Sequence, residues 1–468
     1  MSVDVTKEKL DEKKNARYKM MTEEKVPKLI VKLSVPTIIS MLVTAFYNSA
    51  DTFFVGKIST SATAAVGIVF SVMAIIQAVG FMCGHGSGNC LARKLGAGEM
   101  KEANNVAATG FALSLILGVL MAVLGFVFRN PLADFLGATP SCIKDTIDYM
   151  TIIVFAAPIM IAQFVINNQL RFQGSAVYAM IGLMAGAVVN VGLDPLFIFV
   201  FDLGVKGAAL ATISGQLMSF IILYLGSLKG GNIRLRLKNV HLNRHYIGEI
   251  LNGGLPSLFR QGLAAVATLL LNSAAGNLGG DSAIAGMSIV SRTMMLVCCA
   301  LIGFGQGFQP VCSFNYGAGL KKRVREGYFF CLKIGTIFLS VMAVFCFVFA
   351  PHIIRFFRDS DKVVAIGQVA LRYQALTLPL TATIIVTNML LQSIGMGVRA
   401  SITASARSGI FFIPLILILP HFLGLFGVEI SQAIADVCAF LMAIPMVYPV
   451  LRDLKQDEVT TTERAVYD

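Results

Sequence analysis

The chain repeats itself. Leu33-Ser34-Val35-Pro36 opens one long apolar stretch, and Gly254-Leu255-Pro256-Ser257 opens another about 220 residues later. Leu95-Gly96-Ala97-Gly98 returns as Tyr316-Gly317-Ala318-Gly319. Pro158 and Gly174 return as Pro379 and Gly395, and Gly204 and Gly207 as Gly424 and Gly427. An offset held through every landmark means two homologous halves. Each half is dominated by apolar runs of about 20 residues, long enough as helices to cross a bilayer core of ~30 Å. Duplicated sets of spans create an interface between repeats, where transporters place their substrate path.

Hydrophobic residues make up 56% of the chain and charged residues 14%. A soluble fold of that composition would have almost no polar residues left for its surface. The net charge of +12 is not a nucleic-acid footprint, because the basic residues sit in alternate loops rather than on one face. The first 28 residues are polar and Lys-rich, without the apolar core of a signal peptide. The nine cysteines form no Cys-x-x-Cys or Cys/His cluster, so they read as small packing residues. No cofactor and no bound metal is expected.

Twelve spans are expected, near 30–55, 62–91, 104–128, 146–170, 177–201 and 206–228, then 246–276, 283–313, 327–350, 366–392, 400–422 and 428–451. The expected fold is all-α: an N-lobe (29–228) and a C-lobe (246–452), each a six-helix bundle. A polar linker (229–245) joins them and leaves them free to rock, and polar tails occupy 1–28 and 453–468. Pro36, Pro158, Pro195, Pro256, Pro379 and Pro414 are candidate kinks, since proline removes a helix hydrogen bond. Placing the N-terminus in the cytoplasm puts roughly 26 of the 38 Lys and Arg on the inner side. Both termini are then cytoplasmic, and six spans per half make the repeats parallel about an axis along the membrane normal.

Ionisable residues inside spans are functional candidates by default. Asp51 lies in the first span and Asp194 in the fifth, both toward the outer end. Thr44, Asn48 and Asp51 follow i, i+4, i+7 on one helical stripe, Asn190 and Asp194 are one turn apart, and Thr212 can join from the sixth span. Paired carboxylates among Asn and Thr can hold a proton, because burial and like-charge repulsion both favour the neutral acid. The same oxygens can coordinate Na⁺. Gln163, Asn167, Met73, Gln261, Asn272 and Gln306 are candidates for lining a substrate cavity, although polar groups in spans also bridge helices and Met also serves as apolar filler. Arg260 and Arg292 call for a partner. Gly84-His85-Gly86-Ser87-Gly88 has the wrong spacing for a nucleophile elbow and reads as a close-packing segment.

The stretch Leu33–Gly56, the turn Leu95–Gly98, Asn190-Val-Gly-Leu-Asp-Pro195 and Gly204-Val-Lys-Gly-Ala-Ala209 together resemble the multidrug and toxic compound extrusion (MATE) family, in its bacterial MepA-like branch. The resemblance runs from about residue 28 to 452. It implies a monomeric plasma-membrane antiporter that exports amphipathic, cationic drug-like molecules in exchange for H⁺ or Na⁺. It also places Asp51, Asn190, Asp194 and Thr212 at the family's N-lobe cation site. The NorM-like branch is associated with acidic residues in its second half that this chain lacks, and this favours protons acting through the N-lobe. Two alternatives are a lipid-linked saccharide flippase, which needs a basic cavity, and an intramembrane enzyme or receptor.

Overall fold

The computed structural model describes the backbone of residues 2–229 and 231–467, and the side chains outside 1–11, 48–52, 60, 230, 237 and 456–468. The apolar runs fold as helices throughout. In chain order they are α1 (Ser2–Glu23), α2 (Val26–Gly56), α3 (Thr60–Gly96), α4 (Met100–Val127), α5 (Arg129–Phe135), α6 (Ile143–Phe155), α7 (Ala157–Phe172), α8 (Ala176–Pro195) and α9 (Gly204–Ser227). The second half holds α10 (Arg244–Gly317), α11 (Lys321–Val348), α12 (Ala350–Phe357), α13 (Asp361–Ser393), α14 (Gly397–Ser405), α15 (Phe412–Leu423) and α16 (Leu425–Tyr467).

Among the described residues, ten helices are long and apolar enough to span a membrane, or eleven when the bent pair α6–α7 is joined. The twelfth span is hidden in α10. Its 74 residues would reach ~110 Å at 1.5 Å each, far beyond any bilayer. Gly280, at φ 61° and ψ −156°, breaks it into two limbs. The prolines act unequally. Pro158 follows the break between α6 and α7, where the axis turns by 50°. Pro195 precedes a π-helical turn, Leu196–Val200, and another, Ala406–Ile410, lies just before Pro414. Pro36, Pro256 and Pro379 lie inside helices that run on through them.

The repeat glycines are retained because the backbone requires them. Gly98 and Gly319 have φ of 77° and 76°, Gly174 and Gly395 of 81° and 87°, and Gly204 and Gly424 of 54° and 59°. All lie in the left-handed region, which a Cβ disfavours. A second pairing also follows the repeat. Asn167 Nδ2 donates to the Ala179 carbonyl at 3.0 Å, and Asn388 Nδ2 to the Ala400 carbonyl at 2.7 Å. Each tie fixes the fifth helix of its lobe to the fourth.

Both polar ends of the chain and the linker gather at one end of the bundle, here called the terminal face. The linker is not loose. Asn232 Oδ1 accepts from Arg17 on α1 and from Ser175, the Ile233 amide donates to Gln173 Oε1, and the His241 amide donates to Thr109 Oγ1. It is stitched to the N-lobe up to the cap of α10, where Asn243 Oδ1 accepts from the Tyr246 amide at 3.0 Å. The ties continue into the first turn of α10, where the Tyr246 hydroxyl accepts from Asn105 at 3.0 Å and donates to Glu102 at 2.8 Å.

Candidate functional site

The carboxylate region of the N-lobe is built on a glycine crossing. A Cβ on Gly186 would lie 2.7 Å from the Gly215 carbonyl oxygen, and one on Gly215 equally close to that of Gly186. Only glycine permits this approach of α8 to α9. It carries Asn190, one turn beyond Gly186, against α9, and Asp194 follows one turn further. Thr212 sits one turn before Gly215 on the facing helix. All three are buried, and Asp194 has no solvent exposure. Both polar atoms of the Asn190 amide lack a hydrogen-bond partner among the described residues. α2 packs along α8 and brings Thr44 to this side of the lobe, its hydroxyl bonded back to the Ser40 carbonyl at 2.8 Å. The side chains of Asn48 and Asp51 lie outside the described residues.

Among the described residues, the C-lobe has no carboxylate at the repeat position of Asp194. Pro414 stands near the repeat position of Asp194. Asp436 on α16 is neutralised by Arg407, whose Nε lies 2.7 Å from Oδ1, and Gln432 donates to the same oxygen at 2.9 Å. Sequence reading missed Arg407 because the turn that aims it is π-helical. Removing one partner of a buried pair strands the other charge, at about 3–5 kcal/mol. Arg407→Leu should therefore lower the unfolding temperature in detergent, and adding Asp436→Leu should recover most of the loss. Glu429, also buried on α16, is a further carboxylate that the sequence reading did not single out.

The lobes meet at the terminal face. Among the described residues, every hydrogen bond between lobes lies toward that end. Ser34 Oγ donates to the Phe304 carbonyl at 2.9 Å, Ser313 Oγ to Asn89 Oδ1 at 2.8 Å, Arg93 to the Ser393 carbonyl at 3.0 Å, and Cys90 Sγ to Glu249 at 3.0 Å. At the centre, buried Arg171 on α7 donates to Gln306 of the other lobe, to Asn168 Oδ1 and to His85 Nε2. An arginine cannot accept, so Nε2 is the acceptor and the imidazole carries its proton on Nδ1. Nδ1 then donates to Ser257 Oγ across the interface at 2.8 Å. Gln392, the repeat counterpart of Arg171, donates to the same hydroxyl at 2.8 Å. Arg171 thus buries its charge against neutral acceptors. Each of these partners is a group that water could replace, so this latch between the lobes is polar rather than apolar.

Backbone contacts seal the same end. A Cβ on Gly86 would lie 2.0 Å from the Ile250 oxygen, one on Gly254 2.1 Å from that of Met82, one on Gly96 2.0 Å from that of Phe314, and one on Gly317 2.0 Å from that of Arg93. The close-packing reading of the Gly84–Gly88 segment holds. His85 within it is the residue that reading passed over. Toward the other end the lobes diverge. Ile75 on α3 and Leu296 on α10 continue the contacting stripes by two turns, yet are 56% and 45% exposed. A cleft opens there between the lobes.

The expected cavity residues separate into two groups. Gln261 and Asn272 are half-buried on the side of α10 that faces the N-lobe beyond the last contact. Gln306 is buried in the latch. Gln163 is buried and donates to Ser219 at 2.9 Å, Asn167 makes the helix tie described above, and Met73 packs against the N-lobe core. A substrate could reach Gln306, Gln163 and Asn167 only by displacing existing contacts, while Met73 is half-buried.

Comparison with known proteins agrees with this architecture. The MatE family matches the chain twice, over residues 36–196 and 256–418. The multidrug export protein MepA of Staphylococcus haemolyticus is 28% identical, over 94% of this chain and 97% of its own. Among solved structures, an outward-facing conformation of a multidrug resistance MATE family transporter of the MOP superfamily superposes with a TM-score of 0.87 at 30% identity, covering 94% of this chain and 98% of that one. A MOP superfamily transporter from Pyrococcus furiosus, whose binding pocket is described as having reverse polarity, also gives 0.87, at 29% identity and the same coverage. Two matched halves, their parallel repeat and the cleft between them make this chain a member of the MatE family, a polytopic membrane transporter rather than a catalyst.

Proposed function

We propose that this protein is a secondary active exporter of amphipathic, chiefly cationic, drug-like compounds, driven by protons entering through the N-lobe. The observation that carries this reading is the asymmetry of the repeat. The scaffold is duplicated, but among the described residues a buried carboxylate beside an unsatisfied amide and a threonine occurs on the α8–α9 crossing and not at its repeat position in the C-lobe. The multidrug export recorded for MepA supports the same substrate breadth. The excess of Lys and Arg assigns the terminal face to the cytoplasm of the plasma membrane, with both termini inside. The structure is then open to the outside.

In this cycle, protons from outside bind Asp194 and Asp51 and weaken drug binding, so the drug leaves outward. The lobes then rock. The latch of His85, Ser257, Arg171 and Gln306 hydrates, the inner side opens, and drug binding from the cytoplasm expels the protons. Each ligand must weaken the other by the same factor. Na⁺ is the competing ion, since Asp194, Asn190 and Thr212 offer oxygen ligands. Efflux of a fluorescent cation from vesicles under separately imposed gradients distinguishes them. Transport driven by a proton gradient without Na⁺ is expected. Transport that needs a Na⁺ gradient alone overturns the proton assignment.

A further inference from the structure

A hollow of about 460 Å³ lies at the open end of the C-lobe, within the usual size range of small-molecule sites. Arg292 on α10 and Arg358 in the turn before α13 both face it, with the hydroxyls of Ser282, Ser288 and Ser360. Its position follows from the helix. Gly303 and Gly307 touch α2 of the N-lobe, so they mark the side of α10 that faces across the interface. At 3.6 residues per turn, Arg292, Ala285 and Asp281 fall within about 40° of Gly303. The hollow therefore opens on the cleft.

Its charges are unbalanced. Neither Arg292 nor Arg358 has a carboxylate at ion-pair distance among the described residues. The two acids nearest in sequence to Arg358 are both engaged by Arg355, Asp359 at 3.4 Å and Asp361 at 2.6 Å. Deeper in the C-lobe wall, half-buried Arg260 donates to Asn388 Oδ1 at 3.4 Å and has no carboxylate at ion-pair distance among the described residues. Two guanidiniums with hydroxyls beside them match a carboxylate in charge and in planar geometry. Phe357 and Ile289 add an apolar wall for a ring. Asp281 shares the hollow and repels a simple anion, while it attracts a molecule that also carries positive charge.

We propose that this hollow is an anion subsite, which takes the carboxylate of a zwitterionic amphiphile while its cationic end lies toward Asp281. The proposal rests on the export reading, whose substrate class it narrows. Its test needs no transport. The chain contains no Trp, so the emission of a fluorescent zwitterion bound to the full-length protein in detergent is read without indole background. Binding of the free acid and of its methyl ester is compared by polarisation. The acid should bind about tenfold tighter, as charge-assisted hydrogen bonds to a carboxylate warrant. Arg292→Gln with Arg358→Gln should remove that preference and leave ester binding within about twofold, which also reports an intact fold. Asp281→Asn should let a simple anionic amphiphile bind better. Equal affinities for acid and ester in the unmodified protein, or a preference unchanged in the double variant, overturn the proposal. Failure of gradient-driven efflux would remove the export reading while leaving the measured acid preference in place.

Discussion

Replacing Gly86 with valine is expected to unseal the terminal face. A Cβ at this position would lie 2.0 Å from the Ile250 carbonyl oxygen and 2.9 Å from its carbon. Both belong to the backbone of α10, so no flexible side chain can yield and α3 must move away. Overpacking of this kind costs about 1–3 kcal/mol. Against a two-state lobe equilibrium that is a shift of about 5- to 150-fold toward the state open at this end. Gly254, whose Cβ would strike the Met82 oxygen at 2.1 Å, should behave alike. Cys90 is a native reporter, being buried in this interface beside Glu249. In a variant keeping only this cysteine, Gly86→Val should raise its alkylation rate at least tenfold and abolish efflux, with the protein still inserted. Gly262→Ala, where a Cβ meets nothing within 4 Å, should change neither. Unchanged Cys90 reactivity in Gly86→Val would mean that these backbone contacts do not hold the sealed state.

Asp194→Asn should uncouple the transporter. The substitution keeps size and one oxygen, so the α8–α9 crossing and its neighbours Asn190 and Thr212 stay in place. It removes the negative charge and the capacity to release a proton. In the unmodified protein, the proposed coupling is expected to make drug binding tighter as the pH rises and looser as it falls. Couplings of about 1–3 kcal/mol place that change at about 5- to 150-fold. In Asp194→Asn the affinity should vary by less than about twofold across the same range, and gradient-driven efflux should fall to the level of vesicles without protein. Drug binding itself should survive. Retained efflux in this variant would contradict a role for Asp194 in coupling.

Much of this was legible in the sequence. Hydropathy located the spans, and the constant offset implied parallel lobes. The repeat glycines are recognisable because left-handed turns tolerate little else. The Asn190–Asp194 spacing and the proline after it marked the N-lobe site. The latch was less accessible. His85, Arg171, Ser257 and Gln306 come from four distant parts of the chain, and only tertiary packing brings them together. The repeat does contain a clue, because His85 and Gln306, and Arg171 and Gln392, hold equivalent positions in the two halves. Asn167 and Asn388 are equivalent too, and each makes the same tie between the fourth and fifth helices of its lobe. Arg407 could not be matched to Asp436 by regular helical spacing, because a π-turn shifts it. The stitched linker was illegible for a simpler reason. Its bonds use backbone amides and distant side chains, and composition alone shows only that it is polar.

In the proposed cycle, drug and proton oppose each other through the N-lobe carboxylates. The most direct measurement is the proton count on drug binding. Purified protein in weakly buffered detergent solution, near neutral pH and without Na⁺, is titrated with a cationic amphiphile while the pH is followed. Linkage requires that a drug which prefers the ionised site displace protons. Proton release in step with binding is expected in the unmodified protein, and a markedly smaller release in Asp194→Asn. Saturable drug binding with no proton release from the unmodified protein would contradict it.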